Sequence, residues 1–296
     1  MDYLDKYGYT PDQEKIAAAL AAVADNLNNV SSSEALKQCF AAMDLTTLRT
    51  NDTPEYVRAF VEKVNKFPES FPGYPEPASI CVYPNFAGVV RETKKSDTLH
   101  VTCVSSCFPS AQSFLEVKVR ECELAVMEGA DEIDIVLALN SFLAGDYDAA
   151  YGEIVAMKNA IDKAAADVKR NVVLKVILET GLLKTPENIA RASFLAMEAG
   201  ADFIKTSTGK VDVNATPEAA YVMCEAIRRY YEVSGRKVGF KAAGGVSNAK
   251  DALYYYSIVA TVLGQAWLGK DLFRLGVSRL GNSLVSAIEG TTVSYF

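Results

Sequence analysis

Two lysines end short apolar segments of this sequence, and glycine follows closely after each of them. Lys205 lies in AGADFIKTSTGK (199–210) and Lys241 lies in KVGFKAAGGV (237–246). Lysine is depleted in strands and is rarely buried without a reason. Burial disfavours the ammonium form and lowers the pKa of the amine, and a neutral amine can attack a carbonyl to form an imine. The segments therefore predict Schiff-base chemistry. The alternative is that each lysine only extends its ammonium group into water from a strand end.

The two lysines could also act on each other. If both strands belong to one parallel barrel, side-chain alternation allows Lys205 and Lys241 to point inward at the same end. Neighbouring ammonium groups repel, so at least one of the two loses its proton more easily, which makes a nucleophilic amine.

Strand and helix patterns alternate along most of the chain. The predicted strands are 40–48, 79–83, 100–104, 132–137, 172–179, 202–206, 237–241 and 258–263. The predicted helices are 54–67, 86–93, 113–128, 146–166, 185–199, 216–233, 248–255 and 272–289. Eight such strands favour an α/β protein built as a single (β/α)8 TIM barrel with an N-terminal helical extension. An open doubly wound sheet is the alternative, but its GxGxxG fingerprint is missing after the first strand.

The alternation of strands and helices also suggests how the chain is divided into segments. The first residues fall outside it and carry an alanine-rich helix over 11–27 and a second helix from 31. We predict an N-terminal helical extension at 1–38, the barrel at 39–290 and a C-terminal tail at 291–296. Asp146, Thr185 and Thr216 are predicted to cap helices, with proline directly after the last two.

Several predicted strands place polar residues on one face and apolar residues on the other. The polar faces contain Asp44 with Thr46, Cys81 with Ser79, Glu132 with Asp134, and Lys175 with Glu179. Their convergence with Lys205 and Lys241 at the C-terminal ends of the strands indicates an active site. Buried ion pairs that only hold the fold together are the alternative for any one of them.

Composition limits the partners and the chemistry. The chain has 296 residues and a net charge of −7, which argues against nucleic-acid and membrane-surface partners. Neither a bilayer-spanning run nor a signal peptide is apparent. Six cysteines without a CxxC pair predict reduced thiols and a cytoplasmic location. His100, the single histidine, is interpreted as structural, and it cannot build a multi-histidine metal site. We expect neither a metal nor a cofactor.

Seven motifs together resemble the deoxyribose-phosphate aldolase family. They are MDLTTL (43–48), ICVYP (80–84), GADEIDIV (129–136), LKVILETG (174–181), AGADFIKTSTGK (199–210), VNATPE (213–218) and GFKAAGG (239–245). The resemblance runs from about residue 40 to the C-terminus. It implies a class I, metal-free aldolase that interconverts 2-deoxy-D-ribose 5-phosphate with acetaldehyde and D-glyceraldehyde 3-phosphate.

The resemblance also implies roles for individual residues. Lys205 matches the lysine that forms the Schiff base, Lys241 the lysine that perturbs it, and Asp134 and Lys175 the proton-relay network. Cys81 matches a pocket cysteine, and we add Thr46 to the substrate-binding residues. The residues that match the family's phosphate site are Thr208, Gly209, Lys210, Gly244, Gly245 and Ser278. Tyr295 is the candidate for a C-terminal tyrosine that assists proton transfer in some relatives.

This sequence departs from the family at several positions. In CFPSA (107–111), Ser and Ala follow FP where the family often has Leu or His and then Gly. Ser247 follows GGV where arginine is common, and Arg279 follows Ser278 where serine or threonine is usual. Tyr295 is followed by one more residue, Phe296. These changes concern phosphate binding and the tail rather than the lysines.

Alternative functions remain open from the sequence. One is another Schiff-base sugar-phosphate aldolase, and another is a non-catalytic phosphosugar-binding barrel. A metal-dependent aldolase is disfavoured by the single histidine. The expected partners are a small phosphorylated sugar and acetaldehyde, with a homodimer as the candidate assembly.

Overall fold

Eight parallel strands close into a barrel in which each strand pairs with its neighbours in chain order. The computed structural model describes residues 2–296. The strands are β1 (Met43–Thr46), β2 (Ser79–Val82), β3 (His100–Val104), β4 (Glu132–Val136), β5 (Val173–Ile177), β6 (Phe203–Lys205), β7 (Gly239–Ala243) and β8 (Phe273–Val277). β8 closes the barrel by pairing with β1, with Leu275 opposite Met43. The predicted (β/α)8 barrel is therefore confirmed.

Helices precede the barrel and cover its outside. They are α1 (Tyr3–Tyr7), α2 (Gln13–Val30), α3 (Ser33–Ala41), α4 (Pro54–Ser70), α5 (Ala87–Thr93), α6 (Leu115–Met127), α7 (Leu139–Leu143), α8 (Tyr147–Asp167), α9 (Thr180–Leu183), α10 (Pro186–Glu198), α11 (Pro217–Ser234), α12 (Ala249–Val262) and α13 (Leu280–Glu289). None of these helices is both long and apolar enough to cross a membrane.

Helix starts follow local side-chain chemistry. The predicted caps Asp146, Thr185 and Thr216 each accept a hydrogen bond from a backbone N–H in the first turn. Proline occupies the first position of α10 and α11, where its fixed φ suits the helix and no N–H partner is needed. These caps fix where the outer helices begin and so where the loops over the barrel mouth end.

The predicted eighth strand and last helix were wrong in their positions. Residues 258–263, predicted as a strand, lie almost entirely in α12, which begins after the capping residue Asn248. The actual strand, β8, occupies the start of the segment 272–289 that was predicted as one helix. Ile258 and Val259 are both fully buried, so their apolar run resembles a buried strand although the backbone is helical.

The barrel wall separates apolar from charged side chains. Outward residues such as Ile133, Val176 and Phe240 pack against the helices and are fully buried. The inward face is polar and carries the charged residues Asp44, Glu132, Asp134, Lys175, Lys205, Lys241 and Arg274. Buried charges are tolerated when they are paired and hydrogen-bonded. The protonation state of each charged residue in the barrel interior therefore depends on the others.

The segment before the barrel is helical and packs onto its outer layer. α1 contacts α10, and Tyr7 stacks on Phe194 with ring centroids 4.3 Å apart. α2 packs on α11 and α12, and the Tyr254 hydroxyl donates to the Leu20 carbonyl over 2.9 Å. α3 crosses the boundary predicted between residues 38 and 39. All six cysteines are free, and five of them are buried.

Candidate active site

Two lysines meet where β6 and β7 run side by side. Lys205 lies directly opposite Lys241 in the strand register. Lys241 is fully buried and Lys205 is 4% exposed, at the floor of a cavity. Both Nζ atoms donate to the same atom, Asp134 Oδ2, at 2.8 Å. The structure therefore brings together the two lysines and the aspartate that the sequence singled out.

Lys175, on β5, joins Lys205, Lys241 and Asp134, and these four residues form the first layer of the site. Its Nζ donates to Asp134 Oδ1 at 2.9 Å and to Glu132 Oε2 at 2.5 Å. Asp134 therefore receives hydrogen bonds from three lysines, one of which also binds Glu132.

A second layer lies deeper in the barrel. Arg274 donates to Asp44 Oδ1 and to Glu132 Oε1, each at 2.6 Å. Lys241 also pairs with Asp44. His100 Nδ1 lies 2.7 Å from Glu132 Oε1, so the histidine supports this layer, as its structural interpretation expects.

The buried charges of the two layers do not balance. Four cations, Lys175, Lys205, Lys241 and Arg274, face three carboxylates, Asp44, Glu132 and Asp134. If all were ionised, one positive charge would remain in a site from which water is largely excluded. One basic group is therefore favoured to lose its proton.

The pKa shifts identify that group. Burial alone would raise the pKa values of Asp44, Glu132 and Asp134, but the neighbouring cations lower all three. Burial alone would lower the pKa values of Lys175 and Lys241, but the carboxylates raise both. For Lys205, burial is the largest influence and lowers the pKa. Asp134 opposes that shift and Lys241 adds to it. Lys205 is thus the amine that deprotonates most readily in this network.

A cavity of about 700 Å³ opens above Lys205. Among the residues that the structure describes, its lining contains no acidic side chain and five basic ones: Arg49, Lys63, Lys205, Lys210 and Arg279. This contrasts with the net charge of −7 for the whole chain. A mouth lined by one sign of charge concentrates ligands of the opposite sign, so the cavity suits an anion.

Backbone donors add to this preference for an anion. Gly209, Gly244 and Gly245 line the cavity with φ values of 77°, 81° and 83°, a conformation that favours glycine. A Cβ on Gly244 would lie 2.6 Å from the Asn214 side chain. The N–H groups of the three glycines, and those of Ser278 and Arg279 at the start of α13, meet no protein acceptor within residues 2–296. Such groups commonly bind phosphate.

The predicted substrate-binding residues occupy different depths. Those that line the cavity are Thr46, Thr208, Gly209, Lys210, Gly244, Gly245 and Ser278. Cys81 lies below them, is 1% exposed, and burial raises the pKa of its thiol. Thr46 donates its hydroxyl to the Asp44 carbonyl at 2.8 Å, and Thr208 donates to Glu179.

The structure does not bring Tyr295 to the cavity. Its hydroxyl donates to the Lys63 carbonyl at 2.8 Å, and its ring packs on Phe67 and Phe71. The neighbouring Phe296 lines the cavity instead. A catalytic role for Tyr295 stays a prediction, and it requires this tail to move.

Sequence reasoning missed several residues of the site. Arg274 was assigned to a helix, although the alternation in FRLGV (273–277) is the signal that could have placed it inside a strand. Arg49, Lys63 and Tyr56 reach the cavity from α4 and the loop before it, and no local pattern marks them. Arg279, noted only as a departure, is one of the lining cations.

Comparison with known proteins gives consistent results. Residues 39–258 of the chain match the model of the DeoC/LacD aldolase family. A Caenorhabditis elegans relative is 42% identical over 276 residues, which cover 91% of this chain and 86% of the relative. An Agrobacterium fabrum (strain C58) protein named deoxyribose-phosphate aldolase is 39% identical, with 87% of this chain and 93% of that protein covered. The solved deoxyribose phosphate aldolase of Aeropyrum pernix shares the fold, with a TM-score of 0.65 at 23% identity over 95% of this chain and 98% of its own.

Proposed function

Because the chain belongs to the DeoC/LacD aldolase family, we propose that it is a deoxyribose-phosphate aldolase, a lyase. Its reaction is the reversible cleavage of 2-deoxy-D-ribose 5-phosphate to acetaldehyde and D-glyceraldehyde 3-phosphate. The observation that carries this proposal is Lys205, a buried lysine of lowered pKa at the floor of a cavity lined by cations.

The reaction starts with the free amine of Lys205. The amine attacks the C1 aldehyde of the open-chain sugar, and loss of water from the carbinolamine gives an iminium ion. Asp134 lies 2.8 Å from Lys205 Nζ and compensates the positive charge of that iminium. The iminium then acts as an electron sink for the next step.

Cleavage breaks the C2–C3 bond. The C3 hydroxyl loses its proton, C3 becomes the aldehyde carbon of glyceraldehyde 3-phosphate, and the C2–C3 electron pair moves to form an enamine on Lys205. The ammonium groups of Lys175 and Lys241 and the iminium on Lys205 hold Asp134 ionised, so we assign it to the proton path together with Lys175 or a water molecule. Protonation of the enamine carbon and hydrolysis release acetaldehyde and restore the amine.

The cavity holds the far end of the substrate. We assign the phosphate to Lys210, the glycine N–H groups at 209, 244 and 245, and the start of α13 at Ser278. Anchoring the phosphate positions C1 over Lys205, so binding energy from a remote group lowers the barrier at the reacting carbon.

We further propose that the enzyme needs no metal, because a lysine imine supplies the electron sink and the chain has one histidine. Activity should then survive exhaustive treatment with EDTA. Loss of activity that added zinc restores would overturn the mechanism. Six free cysteines support a cytoplasmic location. We also propose a role in deoxyribonucleotide catabolism, which follows from the proposed reaction, and assembly as a homodimer.

Borohydride trapping tests the central step. Reduction in the presence of acetaldehyde should leave an ethyl group on Lys205, located by peptide mass mapping, and Lys205→Met should carry none. Lys210 is the internal control, since this lysine of the same cavity lies outside the carboxylate network. A label confined to Lys241 or Lys210 would overturn the assignment. Binding of the sugar phosphate without any label would indicate a phosphosugar-binding protein instead.

A further inference from the structure

A buried carboxylate outside the lysine network contacts the loop 208–210, to which we assign the phosphate. Glu179 follows β5 and is 2% exposed. Its backbone is left-handed, with φ 56° and ψ 60°, at the residue that precedes α9. A non-glycine residue in this conformation is uncommon and persists where the surrounding structure enforces it.

The Glu179 carboxylate interacts with a single residue. Oε1 accepts the Thr208 N–H at 3.1 Å, and Oε2 accepts the Thr208 hydroxyl at 2.5 Å. Within residues 2–296 this carboxylate forms no ion pair, and its hydrogen bonds are the two to Thr208. Burying a carboxylate without a cation is costly, so both of its hydrogen bonds matter.

These bonds determine what the loop presents to the cavity. Both hydrogen-bond donors of Thr208 are directed to Glu179, and the Thr208 hydroxyl oxygen in turn accepts the Lys210 N–H at 3.1 Å. Thr208 therefore links the loop to Glu179 on the side that faces away from the cavity. The Gly209 N–H and the Lys210 side chain remain for a ligand.

The segment that carries Glu179 is itself held tightly. A Cβ on Gly181 would lie 2.0 Å from the Val213 carbonyl oxygen, so only glycine permits this contact between α9 and the chain after the loop. The Thr180 N–H donates to the Thr206 carbonyl at 2.9 Å. Glu179 is thus fixed relative to both ends of the loop.

From this geometry we infer that Glu179 is a positioning residue, which acts through Thr208 to set the loop 208–210 for phosphate. This inference rests on the proposed function and adds a determinant of phosphate selectivity to it. Glu179 does not line the cavity, so its effect should be confined to the phosphorylated end of the substrate.

The test separates phosphate binding from chemistry at the lysine. Glu179→Gln keeps the size of the side chain but removes its charge and one acceptor. We expect KM for 2-deoxyribose 5-phosphate to rise about tenfold with kcat changed less than about twofold, the range for one charge-assisted hydrogen bond. For unphosphorylated 2-deoxyribose, kcat/KM should stay within about twofold of wild type.

Matched variants test whether Thr208 transmits the effect. Thr208→Val removes the hydroxyl and should raise KM, and Thr208→Ser, which keeps both donors, should raise it less than Thr208→Val does. If the two residues act as a unit, the double variant Glu179→Gln/Thr208→Val should lose less than the product of the single losses.

The opposing outcomes are distinct. An unchanged KM for the phosphorylated sugar, or an equal loss on both sugars, would overturn the role of Glu179. If the wild type does not cleave the sugar phosphate, the proposed function fails. Titration with inorganic phosphate, followed by ³¹P NMR, then decides the inference: affinity must fall about tenfold in Glu179→Gln and must fall less in Thr208→Ser than in Thr208→Val.

Discussion

At the scale of single residues, the reactivity of Lys205 is a matter of charge count. Lys175, Lys241 and Arg274 neutralise three carboxylates, and their own pKa values are raised by those carboxylates. Lys205 is the surplus base at the solvent side of the network. Lys241 therefore acts in two ways: it repels the Lys205 ammonium directly, and it neutralises Asp44 and Asp134, which would otherwise stabilise that ammonium.

Lys241→Leu should therefore raise the pKa of Lys205. The neutral fraction of an amine grows as pH rises through its pKa, so the rising limb of the kcat/KM profile should move to higher pH. In the wild type that limb should lie below the ordinary lysine value of about 10.4. At pH 7 we expect a loss of about 10²-fold or more. The measurement is the pH–rate profile.

Lys210→Gln is the matched control for that variant. Lys210 lines the cavity, but its Nζ donates to the Leu48 carbonyl rather than to the carboxylate network. This change should raise KM and leave the limb in place. A limb that stays fixed in Lys241→Leu, in a protein shown by circular dichroism to be folded, would exclude the electrostatic role of Lys241.

At the scale of elements, the sequence predicted seven strands close to where they lie and misplaced one. Lys205 and Lys241 were recognisable because a lysine at the end of an apolar strand is a local anomaly. β8 was missed because its inward residue is an arginine. FRLGV contains few of the β-branched residues that mark a strand, whereas the apolar run near Ile258 contains several. Tertiary packing decided both assignments.

The orientation of side chains in loops could not be predicted from the sequence either. Thr208 was expected to bind phosphate, yet its donors are taken by Glu179, a residue 29 positions away. Arg274 joins Asp44 and Glu132 only after the barrel closes. Such contacts depend on the register of distant strands, which a local pattern does not contain.

Close packing between β7 and β8 gives a prediction for Gly276→Ala. A Cβ at this position would lie 2.8 Å from Ala243 Cβ and 3.1 Å from Lys241 Cε. Neither strand can move easily in a closed barrel, so we expect a loss of about 1–3 kcal/mol in the free energy of unfolding. Because Lys241 must shift, kcat/KM should fall as well. Chemical denaturation and steady-state kinetics measure the two effects.

Gly152→Ala in α8 is the control for that substitution. Nothing lies within 4 Å of a Cβ at Gly152, so the same methyl group should be neutral or stabilise the helix by up to about 1 kcal/mol. Equal stability and activity of the two alanine variants would show that the space around Gly276 is not limiting.

At the scale of the whole molecule, the catalytic barrel and the N-terminal helices have separate tasks. Ile16, Val23 and Leu27 of α2 are buried against the outer helices, while no residue of α1 or α2 lines the cavity. Asp2 pairs with Arg191 of α10, and Lys6 pairs with Glu198 of the same helix. The extension therefore adds buried apolar surface and stability, and it leaves the chemistry to the barrel.

Val23→Asp tests that division. Val23 is 4% exposed, so the new carboxylate would be buried without a partner, and we expect a destabilisation on the order of 3 kcal/mol. For a chain of this size that corresponds to a Tm lowered by roughly 5 °C. Ala18→Asp places the same charge on the exposed side of α2 and should stay within about 0.5 kcal/mol of wild type.

Well below either Tm, both variants should keep the wild-type kcat/KM and the borohydride label on Lys205, because the cavity lies on the other side of the barrel wall. Equal melting temperatures would show that α2 adds no stability. A selective loss of activity in folded Val23→Asp would show instead that the extension reaches the active site through the outer helices.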